Sequence, residues 1–466
     1  MKDRTSQEGW LAPARRDLNT MTFPKVRYLL IAAAFHIALT ATIFLIGHFQ
    51  LLPNTIDRNG NGLTFALDGT SYQRVASELA GVLQTSGVKA WFETRMPLHS
   101  RLQSLAFATF GRVLGHNILA IEPLNLLFYL GVLSCIYFLG REVFSERAGL
   151  LAATIVGVWP TFLIYSTQLM RDSFAILCFL ALMLVLTMLV GREFAIRQSI
   201  GVGFAGALSV TLFWITRGNM WNAVLVAVAI TLVMLGYRML REDRFIAGNA
   251  LVMLLIAGAT LLAPSRFEST TLPGVRPPAT ALALPSASQP AFSEGTWTRV
   301  IRQIAHRRAG SRFAKARASD IDSDVQFNSL GDILRYVPRA AVIGFFAPFP
   351  NMWFQPGTFG LSGRLVSGVE TLAMYFLYIA VGFCLWRERR NAKVWLLFLV
   401  AAIGMVALGL VVVNAGALFR IRYVFWMLLI VLAVEALPQR TTNRFFEPFV
   451  PFCGYFTVLR TSFTKS

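Results

Sequence analysis

Long apolar runs, most of them closed by a cluster of basic residues, set the rhythm of this chain. They are near the length at which an α-helix crosses the ~30 Å hydrocarbon core of a bilayer. The pattern predicts an all-α polytopic membrane protein with about ten spans, near residues 26–48, 118–139, 148–168, 173–190, 199–216, 219–237, 245–263, 365–386, 393–413 and 420–437. The first run is too long for the core of a cleaved signal and lacks a clear small-residue cleavage site, so it is retained as a span. Pro97 to Gly115 is only moderately apolar and contains His99, Arg101, Gln103 and Arg112. Counted as a crossing, it would place most basic loops outside. Read as an interfacial amphipathic helix, it leaves them inside, and that reading is adopted.

The layout then follows from the positive residues. Residues 1–25 form a cytoplasmic tail with Lys2, Arg4, Arg15 and Arg16, and residues 26–263 a transmembrane core whose first external loop is 49–117. A large external segment follows at 264–364, then C-terminal spans at 365–437 and a cytoplasmic tail at 438–466. The external segment opens with a connector rich in Pro, Ala, Ser and Thr. Trp297 to Arg317 next predicts a basic amphipathic helix, suited either to lipid phosphates or an acidic glycan, or simply to resting on headgroups. The acids Asp320, Asp322, Asp324 and Asp332 come after it. The Pro-broken aromatic stretch Phe345 to Phe354 reads as an interfacial or re-entrant cap.

Composition removes the soluble alternatives. Of 466 residues 55% are hydrophobic and 14% charged, with a mean hydropathy of +0.57, too few charges to cover a soluble surface. The net charge of +19 raises nucleic acid as a partner. Most Lys and Arg, however, fall in short loops where they set orientation, and no nucleic-acid motif is present. Four cysteines and five histidines show no metal-ligand spacing, which argues against a built-in metal site or a disulfide framework.

Candidate chemistry gathers at the external span ends: Asp68, Tyr72, Glu93, Arg95, His99, Arg171, Asp172, Arg217, Asn219, Arg420 and Arg422. Ionisable groups at membrane depth are costly, so they pair or serve function. One carboxylate to take a hydroxyl proton, with several guanidinium groups for a leaving phosphate, suits transfer of a sugar from a lipid phosphate. Plainer roles exist for each: Asp68 as a turn or helix cap, Asp172 as the N-cap of its span, Arg420 and Arg422 as headgroup anchors, His99 as an interfacial polar residue.

Four stretches resemble the GT-C superfamily of polyprenyl-phosphate-sugar-dependent glycosyltransferases, in the branch with protein O-mannosyltransferases, aminoarabinose transferases and rhizobial lipopolysaccharide-core transferases. They are Leu67-Asp68-Gly69-Thr70-Ser71-Tyr72 with Ala76 and Leu79, Arg95-Met96-Pro97-Leu98-His99 with Leu105 to Gly111, Tyr137 to Phe144 with Arg147 to Ala153 and on to Arg171-Asp172, and Arg422-Tyr423. The likeness covers 26–190, is weaker at 420–437 and is absent from 264–364. Two departures stand out: Gly69 follows Asp68 where many relatives have a second acid, and Met96 separates Arg95 from a lone Pro97.

The resemblance implies an external active site and inversion at the anomeric carbon. Asp68 would activate the acceptor, with Asp172 as a supporting acid. Arg95, His99, Arg171, Arg217, Arg420 and Arg422 would bind the donor phosphate, and Tyr72 and Tyr423 the substrates. The implied partners are a polyprenyl-phosphate sugar donor, a glycan, lipid or protein acceptor, and membrane lipids, at a bacterial inner membrane. The resemblance implies no certain cofactor, and Mg²⁺ or Mn²⁺ bound weakly by the two acids stays open. Two alternatives remain: a polymerase or ligase acting on diphosphate-linked oligosaccharides through Arg307, Arg308 and Arg312, and a transporter or flippase. The absence of an internal repeat disfavours the last.

Overall fold

The computed structural model describes residues 26–53, 56, 62, 67–94, 96–267, 296–310, 319–354 and 360–437. No β-strand occurs among the described residues. The first apolar run is α1 (Val26–His48), followed by three shorter helices, α2 (Leu67–Thr85), α3 (Gly87–Glu93) and α4 (Leu98–Leu114). The amphipathic stretch expected after Pro97 is α4, which packs on α2 and on α5 (Ile118–Val143). Asn117 starts α5 by accepting a hydrogen bond from the Leu119 N–H at 2.9 Å.

Next come α6 (Glu146–Gly157) and α7 (Pro160–Ser166), bent by 70° where Pro160 has no N–H for the ladder. The chain continues as α8 (Asp172–Gly191), α9 (Ile196–Arg217), α10 (Trp221–Arg241), α11 (Ala247–Arg266), α12 (Thr296–Gly310), α13 (Leu330–Phe346) and α14 (Pro350–Trp353). The last four helices are α15 (Gly360–Arg387), α16 (Ala392–Val411), α17 (Ala415–Ile421) and α18 (Tyr423–Ala436).

Helices α8 and α18 are apolar on all sides and form the centre, with Phe179, Phe425 and Trp426 fully buried. Peripheral helices expose Phe35, Phe204, Leu261 and Phe376, as expected of a surface that meets lipid. The chain is a multi-pass membrane bundle.

Among the described residues, seven helical runs are long and apolar enough to cross a membrane, or nine if each bent pair is one span. The difference from the expected ten lies in three places. The expected spans 148–168 and 420–437 are each broken, the second by 56° between α17 and α18. The run Ile196–Arg241 counts once although its 46 residues, at 1.5 Å each, would stretch about 69 Å. Its halves are antiparallel. Arg217 ion-pairs with Asp172 at the start of α8, whereas Arg238 donates to the carbonyls of Val190 and Arg192 at its other end. The chain reverses at Gly218–Met220.

Helix α13 is the main feature that the hydrophobic pattern did not predict. A capping box starts it: Asp332 N–H donates to Ser329 Oγ at 3.1 Å while the Asp332 carboxylate accepts from Ser329 N–H at 2.9 Å. It lies so close to α16 that a Cβ on Gly344 would sit 2.1 Å from the Met405 carbonyl oxygen, and one on Gly409 2.0 Å from that of Ala340. Its end falls within the aromatic stretch read as a cap. There Tyr378 donates to the Phe345 carbonyl at 2.9 Å, Tyr375 to that of Phe346 at 2.6 Å, and Arg422 to that of Ala347. Carbonyls at a helix end need such partners where water is scarce.

The expected basic helix at 297–317 is α12, with residues 311–318 outside the described set. Arg308 ties it to the rest of the molecule, donating to the carbonyls of Asp322 at 2.6 Å, Leu410 at 2.8 Å and Val325 at 3.2 Å. Asp322 in turn accepts from Arg339 on α13 at 3.0 and 3.1 Å.

Candidate functional site

Four helix ends or first turns and the second turn of α2 converge around Asp172, the first residue of α8. The end of α9 brings Arg217, whose Nη2 lies 2.7 Å from Asp172 Oδ1. Arg420 on α17 reaches the other oxygen, Nε to Oδ2, at 3.4 Å. Arg171 precedes α8 and donates to the Thr216 carbonyl at 3.5 Å, which holds it beside Arg217. From α4, the His99 ring meets Tyr72 of α2 edge-on, with centroids 4.5 Å apart. Tyr72, His99, Asp172 and Arg217 are all at most 5% exposed.

Three guanidinium groups surround one described carboxylate, so the cluster is net positive and suits an anion. Both Asp172 oxygens already face arginines, a poor donor set for a divalent cation. Burial, reinforced by Arg171 and partly offset by Asp172, pushes the His99 imidazole down to about 3. It is therefore neutral near pH 7, a hydrogen-bonding group and not a charge.

Tyr72, His99, Arg171, Asp172, Arg217 and Arg420 are thus brought together. Asp68 is the second residue of α2, where a loop had been expected, and its side chain lies outside the described residues, as does all of Arg95. Arg422 and Tyr423 turn elsewhere. Arg422 is fully buried between the Ala347 carbonyl, Met374 Sδ at 3.2 Å and the Phe419 ring, 4.7 Å from its centroid. Tyr423 hydrogen-bonds Thr161, at the first turn of α7.

Sequence reasoning missed two buried polar groups because it searched span ends. Glu370, within α15, accepts from the Thr161 N–H at 2.7 Å and from its hydroxyl at 2.5 Å. His36 on α1 hydrogen-bonds Glu122 at 2.7 Å and Ser166 at 2.9 Å, and Thr40 donates to Glu122 at 2.7 Å. The signal was present, since both acids and the histidine interrupt apolar runs.

Beside the cluster, a groove of about 390 Å³ lies between α10 and α16, walled by Val226, Ile403, Ala407, Leu408, Ile421 and Phe425. Asn219, Asn222 and Arg307 supply polar atoms to its lining. Asn219 follows Arg217 by two residues and Ile421 follows Arg420, so the groove adjoins the charged cluster. Arg307 donates to the Asn219 carbonyl at 3.4 Å. Arg308, by contrast, is committed to the carbonyls described above.

No protein family matches this chain, and no curated protein does. Among solved structures it is similar to an oligosaccharyltransferase of Archaeoglobus fulgidus in its apo form, at 12% identity over 94% of this chain and 52% of that one, with a TM-score of 0.45. It is also similar to the oligosaccharyltransferase AglB of the same organism in complex with an inhibitory peptide and a dolichol-phosphate, at 14% identity over 88% and 50% of the two chains, with a TM-score of 0.43. The chain spans about half the length of these structures.

Proposed function

We propose that this protein transfers a sugar from a polyprenyl-phosphate donor to a hydroxyl of an extracytoplasmic glycan, lipid or protein, with inversion. The observation that carries the reading is the convergence of buried Asp172 and Arg217 with partly exposed Arg420 beside an apolar groove. A polyprenyl phosphate needs both features: an apolar channel for its chain and guanidinium groups for its phosphate.

In this reading Asp68 takes the proton of the acceptor hydroxyl as its oxygen attacks the anomeric carbon. The bond from that carbon to the phosphate oxygen breaks, and polyprenyl phosphate leaves with the extra negative charge. Arg171, Arg217 and Arg420 stabilise it, with Arg95 assigned to the same role by resemblance. Asp172 holds Arg217 and Arg420 at fixed positions, and Tyr72 with neutral His99 walls the site. Arg422 and Tyr423 orient the α17–α18 joint, and so Arg420. With α9 and α10 taken as two spans and each bent pair as one, the described residues make ten crossings in this reading, with the cluster on the periplasmic face of a bacterial inner membrane.

Asp68→Asn tests the assignment. Transfer of labelled sugar from polyprenyl phosphate in membranes should be abolished while expression and insertion remain normal. Retained transfer overturns the mechanism.

A further inference from the structure

The helix that carries His99 holds polar atoms which the chemistry above leaves unused. His99 Nε2, Ser100 Oγ and Gln103 Oε1 are buried without a hydrogen-bond partner among the described residues. Their side chains belong to residues at most 4% exposed. At 100° per residue the three positions fall within about 100° of the helix circumference, so they form one face of α4. Ser104 on the same helix is satisfied, its Oγ accepting from Trp91 Nε1 at 2.8 Å and donating to the Arg101 carbonyl at 2.8 Å. Arg101, whose Nε is also buried without a partner among the described residues, spends its Nη2 on the carbonyls of Phe92 and Thr94. A buried polar atom without a partner costs its full desolvation, and three on adjacent positions call for a cause.

We infer that this face of α4 binds the hydroxyl groups of a sugar ring. The inference rests on the sugar-transfer reading and specifies which part of the substrate the face takes. An amide oxygen, a hydroxyl and an imidazole nitrogen offer acceptors and donors without net charge, as sugar hydroxyls require. Phosphate would choose the guanidinium groups of Arg217 and Arg420 instead. The face begins where His99 meets Tyr72 and feels the charges of Arg171 and Asp172, so a ring held there lies next to the phosphate cluster. Two sugars have this chemistry, that of the donor and that of a glycan acceptor.

The test uses the full chain in nanodiscs and follows thermal unfolding. The probes are undecaprenyl phosphate alone, a panel of undecaprenyl-phosphate-linked hexoses and pentoses, and free oligosaccharides. Gln103→Leu and Ser100→Ala remove an unsatisfied buried group, so each variant without ligand should melt at a higher temperature than the wild type. Each should also bind the stabilising sugar-bearing lipid roughly three- to tenfold more weakly, as expected for one hydrogen bond, with its response to undecaprenyl phosphate unchanged. Loss confined to the oligosaccharides supports the same face with the acceptor as its ligand.

A lower melting temperature in both unliganded variants shows that the groups have structural partners and overturns the inference. Equal weakening toward the bare carrier also overturns it, by placing the lipid phosphate on this face. If neither sugar-bearing lipids nor oligosaccharides stabilise the wild type, the sugar-transfer reading fails and the inference fails with it. That outcome is visible before any variant is made, which separates the two failures.

Discussion

Asp172 divides its carboxylate between Arg217 and Arg420, and it and Arg217 have little water to fall back on. Breaking such a pair from one side leaves a buried charge uncompensated, a loss of about 3–5 kcal/mol. Asp172→Ala should therefore lower the melting temperature steeply, whereas Arg420→Gln, at a position about a quarter exposed, should cost less stability and reduce donor binding. Thermal unfolding together with a binding measurement checks that split. His99 gives a pH dependence whose sign can be worked out. Its folded value lies near 3, against an ordinary value of 6.5. Between those limits the unfolded chain takes up a proton that the folded chain refuses, so stability is fully present above about pH 6.5 and falls as the pH drops toward 3. The slope is at most ~1.4 kcal/mol per pH unit. Comparing His99→Gln with the wild type between pH 4 and 7 should show a flatter acid limb in the variant. Equal limbs would mean that His99 protonates in the folded state.

Element by element, legibility followed hydrophobic period. The runs at 26–48, 118–139, 173–190 and 393–413 became α1, α5, α8 and α16 with small end errors, because twenty apolar residues in lipid have few alternatives to a helix. The amphipathic reading of α4 was prompted by His99, Arg101, Gln103 and Arg112 and decided by the basic loops, which a crossing there would have moved outside. Helix α13 escaped because its apolar run is short and is interrupted by Arg335, Pro338 and Arg339, so only its end was taken up, within the aromatic stretch read as a cap. What holds it is a packing contact distant in sequence, and periodicity does not record such contacts. Gly344 and Gly409 make that contact, since each lies where a Cβ would strike the other helix's backbone. Backbone cannot yield as a flexible side chain can, so Gly409→Val should cost about 1–3 kcal/mol. It should also loosen the ring of donors around Phe345, Phe346 and Ala347. Hydrogen exchange of the α13 amides in the variant should rise well above that of α8. Unchanged protection would show that the two helices are not locked by close approach.

Across the whole molecule, the site is an assembly that no single segment encodes. Asp172 and Arg217 are 45 residues apart and Arg420 lies a further 203 along, yet helix ends bring them to one place. Sequence reasoning named these residues by asking which ionisable groups sit at span ends. It grouped Arg422 with Arg420, but Arg422 sits at the bent joint between α17 and α18, so Arg420 faces the cluster and Arg422 the end of α13. The groove was not legible at all, since its walls come from α10, α16, α17 and α18 and are ordinary apolar residues individually. Its purpose is testable separately from the charged cluster. Ala407 lies on the wall and is exposed, so a larger side chain there narrows the channel without disturbing the core. Ala407→Phe should raise the donor KM several-fold while kcat at saturating donor and the acceptor KM stay near wild type, because only binding of the lipid chain is impaired. Shortening the donor's isoprenoid chain should relieve the defect, since a shorter chain no longer reaches the obstruction. A variant with wild-type KM for long-chain donors, or one that short chains do not rescue, would mean that the carrier runs along another face of the bundle.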